Sequence, residues 1–128
     1  MKKPRYFKDE PTHETRAVQI WQILVGSAGR RETKTYEGLV ELMGHRQPKV
    51  LAKQLGRILY YCEQHGLPPL TVLVVNKNTG RPGEGGLPYT DDEQGKLRER
   101  VFRFDWYGVY PPSAEEFAKA YVEAHAKP

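Results

Sequence analysis

The sequence predicts an α+β fold, mainly α, and three observations predict it. Apolar residues recur at helical spacing in several separate stretches, the clearest being Leu51, Leu55, Ile58, Leu59 and Cys62. Turn residues punctuate those stretches at Gly44, Pro48 and Gly66. Only one run, Thr71 to Val75, is rich enough in β-branched residues to read as a buried strand.

The 128 residues suit a single core, and their organisation divides into a flexible basic arm at 1–13, a helical unit at 14–86 and a C-terminal extension at 87–128. In the arm, Lys2, Lys3, Arg5 and Lys8 stand among Pro4 and Pro11 with no period. From Glu14 to about Ala28, Ala17, Ile20, Trp21, Leu24 and Val25 follow helical spacing until Gly26, Ser27 and Gly29 break it. Arg30, Arg31 and Lys34 fill a polar connection, and Thr33 and Thr35 around Lys34 form a very short strand. In the next helix Tyr36, Leu39, Val40 and Met43 share one apolar face.

Gly44 stops that helix and Pro48 opens the next, because the missing N–H of proline falls among the unpaired donors of a first turn. Two helices joined by so short a turn form a helix-turn-helix. On the second, the stripe from Leu51 to Cys62 faces the core, while Lys49, Lys53, Gly56, Arg57 and Tyr60 lie on the other side. A cationic face containing a glycine suits close approach to a phosphate backbone.

Pro68 and Pro69 enforce an extended chain before the strand, and the glycine-rich stretch from Asn76 to Gly86, carrying Lys77 and Arg81, has the character of a wing. It lacks the spacing and the following helix of a nucleotide-binding loop. Asp91, Asp92 and Glu93 then start a helix that continues through Leu97 and Val101. Phe102, Phe104, Trp106, Tyr107 and Tyr110 concentrate aromatic area that closes a core. Ser113 and Glu116 form a capping box for a last helix carrying Phe117, Tyr121 and Val122.

Charge is unevenly spread. Nine lysines and arginines against four acidic residues give positions 30–81 a balance of +5, whereas six against nine give 82–128 a balance of −3. Such asymmetry is the footprint of a nucleic-acid surface. The single Cys62, on an apolar stripe, reads as a small buried hydrophobe, and the four histidines have no ligand spacing, so neither a catalytic residue, a metal site nor a cofactor is expected. No membrane-spanning run and no apolar leader behind Met1 are visible, so a cytoplasmic location is the expectation.

Residues from about Val18 to Gly83, roughly half the chain, resemble the DNA-binding domain of the methylguanine-DNA methyltransferases and their catalytically inactive alkyltransferase-like relatives. Ile20-Trp21-Gln22-Ile23-Leu24 is similar to that family's first helix, and Thr33-Lys34-Thr35-Tyr36-Glu37-Gly38-Leu39 to its Thr-x-Thr-Tyr-Gly motif. Pro48 to Leu59 resembles the recognition helix, and Val74-Val75-Asn76 the strand that follows the active site.

The resemblance implies a winged helix that enters the minor groove, with Tyr36 crowding a phosphate. Lys53 matches the position of the arginine that fills the gap left by a flipped guanine. Thr71, or Leu70 allowing for a one-residue slip, falls where the Pro-Cys-His-Arg nucleophile stands in the family. Neither Thr71 nor Val72 can supply an activated thiolate, so alkyl transfer is not expected.

The expectation is a winged helix-turn-helix with a C-terminal aromatic and helical extension that binds double-stranded DNA without catalysis. Tyr36, Lys49, Lys53 and Arg57 form its recognition surface, with Arg30, Arg31, Lys34, Lys77 and Arg81 adding phosphate contacts. Two alternatives remain open: a protein-interaction module whose partner docks on the C-terminal aromatic region, and a reader of damaged or alkylated bases.

Overall fold

The computed structural model describes residues 2–76 and 91–126. Its element order is α1 (His13–Gly29), β1 (Lys34–Thr35), α2 (Tyr36–Met43), α3 (Pro48–Gln64), β2 (Val74–Val75), α4 (Asp91–Arg103) and α5 (Ala114–Ala124). Short 3-10 turns stand at Phe7–Asp9, Leu70–Leu73 and Trp106–Gly108. The described chain is therefore mainly helical, with one parallel strand pair in register Lys34↔Val74 and Thr35↔Val75. The glycine-rich stretch read as a wing, with Lys77 and Arg81, lies outside the described residues.

The helix ends follow local chemistry. Thr35 caps α2 by accepting from the Gly38 N–H at 3.0 Å. Gly44, at φ 71°, ends it: the His45 N–H reaches Val40 O at 3.1 Å and the Gly44 N–H reaches Glu41 O at 3.0 Å, satisfying carbonyls a helix end leaves unpaired. Gly66, at φ 67°, closes α3 in the same way through Leu67 and Cys62. Pro48 begins α3, and Ser113 and Glu116 complete both bonds of the capping box on α5.

α1 is the spine. It packs against α3, α4, α5 and the Leu70–Leu73 turn, and it buries Ala17, Ile20, Trp21, Leu24, Val25, Ser27 and Ala28 along one broad face. Trp21 makes edge contacts with Tyr61 (5.8 Å between centroids) and Trp106 (5.5 Å), and lies 6.1 Å from Phe117. The Trp106 indole N–H donates to Val101 O at 2.8 Å. One cluster thus holds side chains from both ends of the chain, each large one contributing about 1.5–3 kcal/mol by leaving water.

Two expectations are corrected here. Leu70–Leu73 is a 3-10 turn rather than the first part of a strand, and only Val74 and Val75 pair with β1. The turn is hemmed in by α1, α3 and α4, so all four of its side chains are buried. An alternating strand would aim them at only two faces, and packing overrides β-branched preference. The aromatic cluster also divides: Trp106 closes the core, whereas Tyr107 is 77% and Tyr110 92% exposed.

Candidate nucleic-acid interface

The exposed face of α3 carries Lys49 and Lys53 on its first two turns. Arg46, in the turn before the helix, is exposed as well, so a third cation stands near the start of α3. Gly56 falls next on the stripe of Lys49 and Lys53. A Cβ added there would meet only the Tyr60 ring edge at 3.8 Å, an ordinary contact, so internal packing does not demand a glycine.

Beyond Gly56 the expected cationic face stops, because α5 lies along it. Arg57, placed by the spacing beside Lys53, is only 9% exposed. Its Nε donates to Glu14 Oε1 at 2.9 Å, its Nη1 to Lys53 O at 2.8 Å, and its guanidinium stands 4.3 Å over the Tyr121 ring. Tyr60 packs against Tyr121 and His125. The buried stripe is wider than the apolar residues alone: Gln54, Arg57 and Tyr61 are buried, while Leu55 and Leu59 are half-buried.

Tyr36 joins the starts of the two helices, its hydroxyl donating to Pro48 O at 2.6 Å. Arg16 ties α1 to the end of α2 by donating to Met43 O. Lys34 is half-buried in β1.

Arg30 and Arg31 are not part of this surface. They follow the C-terminal end of α1, roughly 25 Å along its axis from Glu14 at 1.5 Å per residue. Arg30 pairs with Glu32 at 3.2 Å. Both oxygens of Glu99 accept from Arg31 Nη2, at 2.7 and 2.6 Å, and Arg103 Nε adds a 3.0 Å bond to the same carboxylate. Arg31 also takes φ 55°, the position glycine holds after α2 and α3.

Several residues that periodicity did not single out converge where α1 begins. His13 is half-buried, and its Nδ1 is shielded from solvent without a hydrogen-bond partner. Burial lowers its pKa below the ordinary imidazole value, and the positive fields of Arg57 and Lys53 lower it further. His45 Nε2 lies 2.8 Å from Oε1 of the buried Gln54. Burial acts to raise the Glu14 carboxyl, but the hydrogen bond and positive field of Arg57 together with a backbone hydrogen bond outweigh it, and the net shift is downward.

At the other positions of chemical interest, Thr71 is buried with its hydroxyl oxygen lacking a hydrogen-bond partner, and Val72 beside it is fully buried. Burial pushes the Cys62 thiol up to about 12. Among the described residues no group of three or more His, Cys, Asp or Glu side chains could hold a metal, and no helix is long and apolar enough to cross a membrane. A separate cavity of about 400 Å³ lies between the N-terminal segment and α5, lined by Arg5, Tyr6, Thr15 and Ser113 among others. Compared with known proteins, the chain matches no family model, no curated protein and no solved structure.

Proposed function

We propose that the chain is a non-enzymatic double-stranded DNA-binding protein in which α2 and α3 act as the helix-turn-helix of a winged helix. The observation that carries this reading is the α3 stripe Lys49, Lys53, Gly56, with the exposed Arg46 just before the helix. Three exposed cations lead to a glycine that internal packing leaves unexplained, which suits a phosphate backbone lying close against α3. Phosphate contact comes mainly from Lys49 and Lys53, with Arg46 added to the set and Arg57 working from behind as a positioning residue. Lys53, a hydrated ammonium without the planar fork of arginine, favours backbone contact over filling a vacated base stack.

A duplex titration against salt tests the proposal. Affinity is expected to fall with a log–log slope of about −0.9 per phosphate neutralised. Lys49→Ala and Lys53→Ala should each lower that slope by roughly 1 and weaken every duplex equally. Loss confined to damaged or mismatched duplexes in Lys53→Ala would favour the lesion-reading alternative, in which a base is flipped. Salt-independent binding, or none at low salt, overturns the proposal.

One observation supports a second reading, the protein-interaction module. Tyr107 and Tyr110 stand exposed beside Pro111, and exposed tyrosines are typical contact residues of protein interfaces. Tyr110→Ala would then abolish partner capture while leaving any duplex affinity unaltered.

A further inference from the structure

Where α5 lies along α3, the two helices assemble an aromatic group that the fold only partly covers. The Arg57 guanidinium stands 4.3 Å over the Tyr121 ring, and the His125 ring lies 4.2 Å from that ring, tilted by 30°. Tyr60 joins them from α3, 5.5 Å from His125 and nearly perpendicular to it, and 6.4 Å from Tyr121. The cluster around Trp21 is sealed in the core, whereas here Tyr121 keeps 37% of its surface exposed, His125 is exposed and Tyr60 is half-buried. The imidazole is also fixed in direction, its Nδ1 lying 2.8 Å from Tyr121 O.

This aromatic group stands at the end of the cationic stripe. Lys49, Lys53, Gly56 and Tyr60 recur at helical spacing and share one face of α3. A Cβ added to Gly56 would meet the Tyr60 ring at 3.8 Å, so the ring begins where the glycine leaves the helix uncovered. At 1.5 Å per residue, Lys49 and Lys53 are about 6 Å apart along the axis and Tyr60 is about 10 Å beyond Lys53. Phosphates follow one another at about 3.4 Å along one strand, which puts Tyr60 roughly three nucleotides from a phosphate held at Lys53.

We propose that Tyr60, Tyr121 and His125 form a stacking platform for an unpaired base, and that the preferred ligand is a duplex carrying a single-stranded extension. Its phosphates lie on Lys49 and Lys53, and a base of the extension lies on the exposed rings. The inference rests on the DNA-binding reading above and names the substrate class within it. A paired base keeps both faces inside the duplex stack and can offer the platform only its edge. An unpaired base has a face to give, and an aromatic surface accepts it whatever the sequence. Arg57 braces the Tyr121 ring, its Nε and Nη1 being committed to Glu14 and the Lys53 carbonyl.

The experiment titrates the full chain at low salt against three DNAs sharing one duplex: blunt, with a short unpaired extension, and with the same extension made of abasic sites, which keep the added phosphates and remove the bases. The parent is expected to bind the base-bearing extension roughly five- to tenfold more tightly than the abasic one. In His125→Ala and in Tyr60→Leu that ratio should fall toward one, the blunt duplex serving in each variant as the reference for any general loss. A fluorescent base analogue placed in the extension gives a readout on the parent alone, and its emission should be quenched on binding as the base stacks. Equal affinity of the parent for the two extensions, a ratio that survives in both variants, or an analogue whose emission is indifferent to the protein overturns the platform while leaving duplex binding in place. Absence of binding to all three DNAs overturns the DNA-binding reading, and the platform with it.

Discussion

The Arg57 guanidinium and the Glu14 carboxylate meet at 2.9 Å between α3 and α1, with side-chain exposures of 11% and 26%. Because the same guanidinium also bonds the Lys53 carbonyl and lies on the Tyr121 ring, one side chain fastens three helices. Arg57→Ala leaves the carboxylate without its partner. The expected loss is about 2 kcal/mol, below the usual range for a broken buried pair because Glu14 keeps some contact with water. Arg57→Lys should recover only part, since an ammonium cannot make the planar contacts. Lys53→Ala, at an exposed site, should change stability by less than about 0.5 kcal/mol. Urea unfolding of the three variants checks this.

Gly56 separates fold from interface. An added Cβ meets nothing closer than 3.8 Å, and alanine is the better helix former, so Gly56→Ala should stabilise the chain by about 0.5–1 kcal/mol. If DNA approaches α3 closely, the same variant should bind duplex more weakly. Melting curves together with a duplex titration read the two effects separately, and a destabilised Gly56→Ala would contradict the geometry.

At Gly44, in the turn before α3, the demand for glycine comes from backbone conformation and not from lack of space. Nothing lies within 4 Å of a Cβ added to Gly44, but its φ of 71° is strained for an L side chain, so Gly44→Ala should cost about 1 kcal/mol. At Arg31 the same conformation is held by a non-glycine residue with Glu99 as partner. Arg31→Gly is therefore expected to melt above Arg31→Ala, because both lose the ion pair and only glycine relieves the backbone.

Acid should destabilise the fold in two stages. The folded-state pKa of His13 is depressed, so below the ordinary value of 6.5 the unfolded chain binds the extra proton more readily, and stability falls as pH drops from there. Glu14 is also depressed, from 4.5, so its contribution is present above that value and is lost as pH falls further, through its lowered folded pKa. Unfolding measured from about pH 8 to about pH 3 should show both stages, and His13→Gln should remove the upper one only.

Cys62 should be inert in the native chain. Its thiol is fully buried and held at about 12, so little thiolate forms at neutral pH. Mass spectrometry is expected to show no adduct after native incubation with iodoacetamide or with duplex carrying an alkylated guanine, and complete labelling by iodoacetamide in denaturant. An adduct on the native chain would place the thiol outside the core.

The sequence by itself determined the helices and where they end. Periodicity and capping act within about four residues, so Gly44, Pro48, Gly66 and the Ser113 to Glu116 box carry their structural consequence locally. The apolar faces of α1 and α2 were legible for the same reason. What only the tertiary structure decided are events between distant residues. Arg57 lies on the polar side of its own helix, yet it is buried because Glu14, 43 positions away, and Tyr121 from the last helix meet it there. Leu70–Leu73 coils where β-branched residues favour a strand, because three helices surround it. Tyr107 and Trp106 are adjacent aromatics with opposite fates, set by which one reaches Trp21. His13 gains its environment only when α1 is laid against α3. In each case a side chain's preference is settled by the free energy of a contact that its neighbours in the chain do not encode.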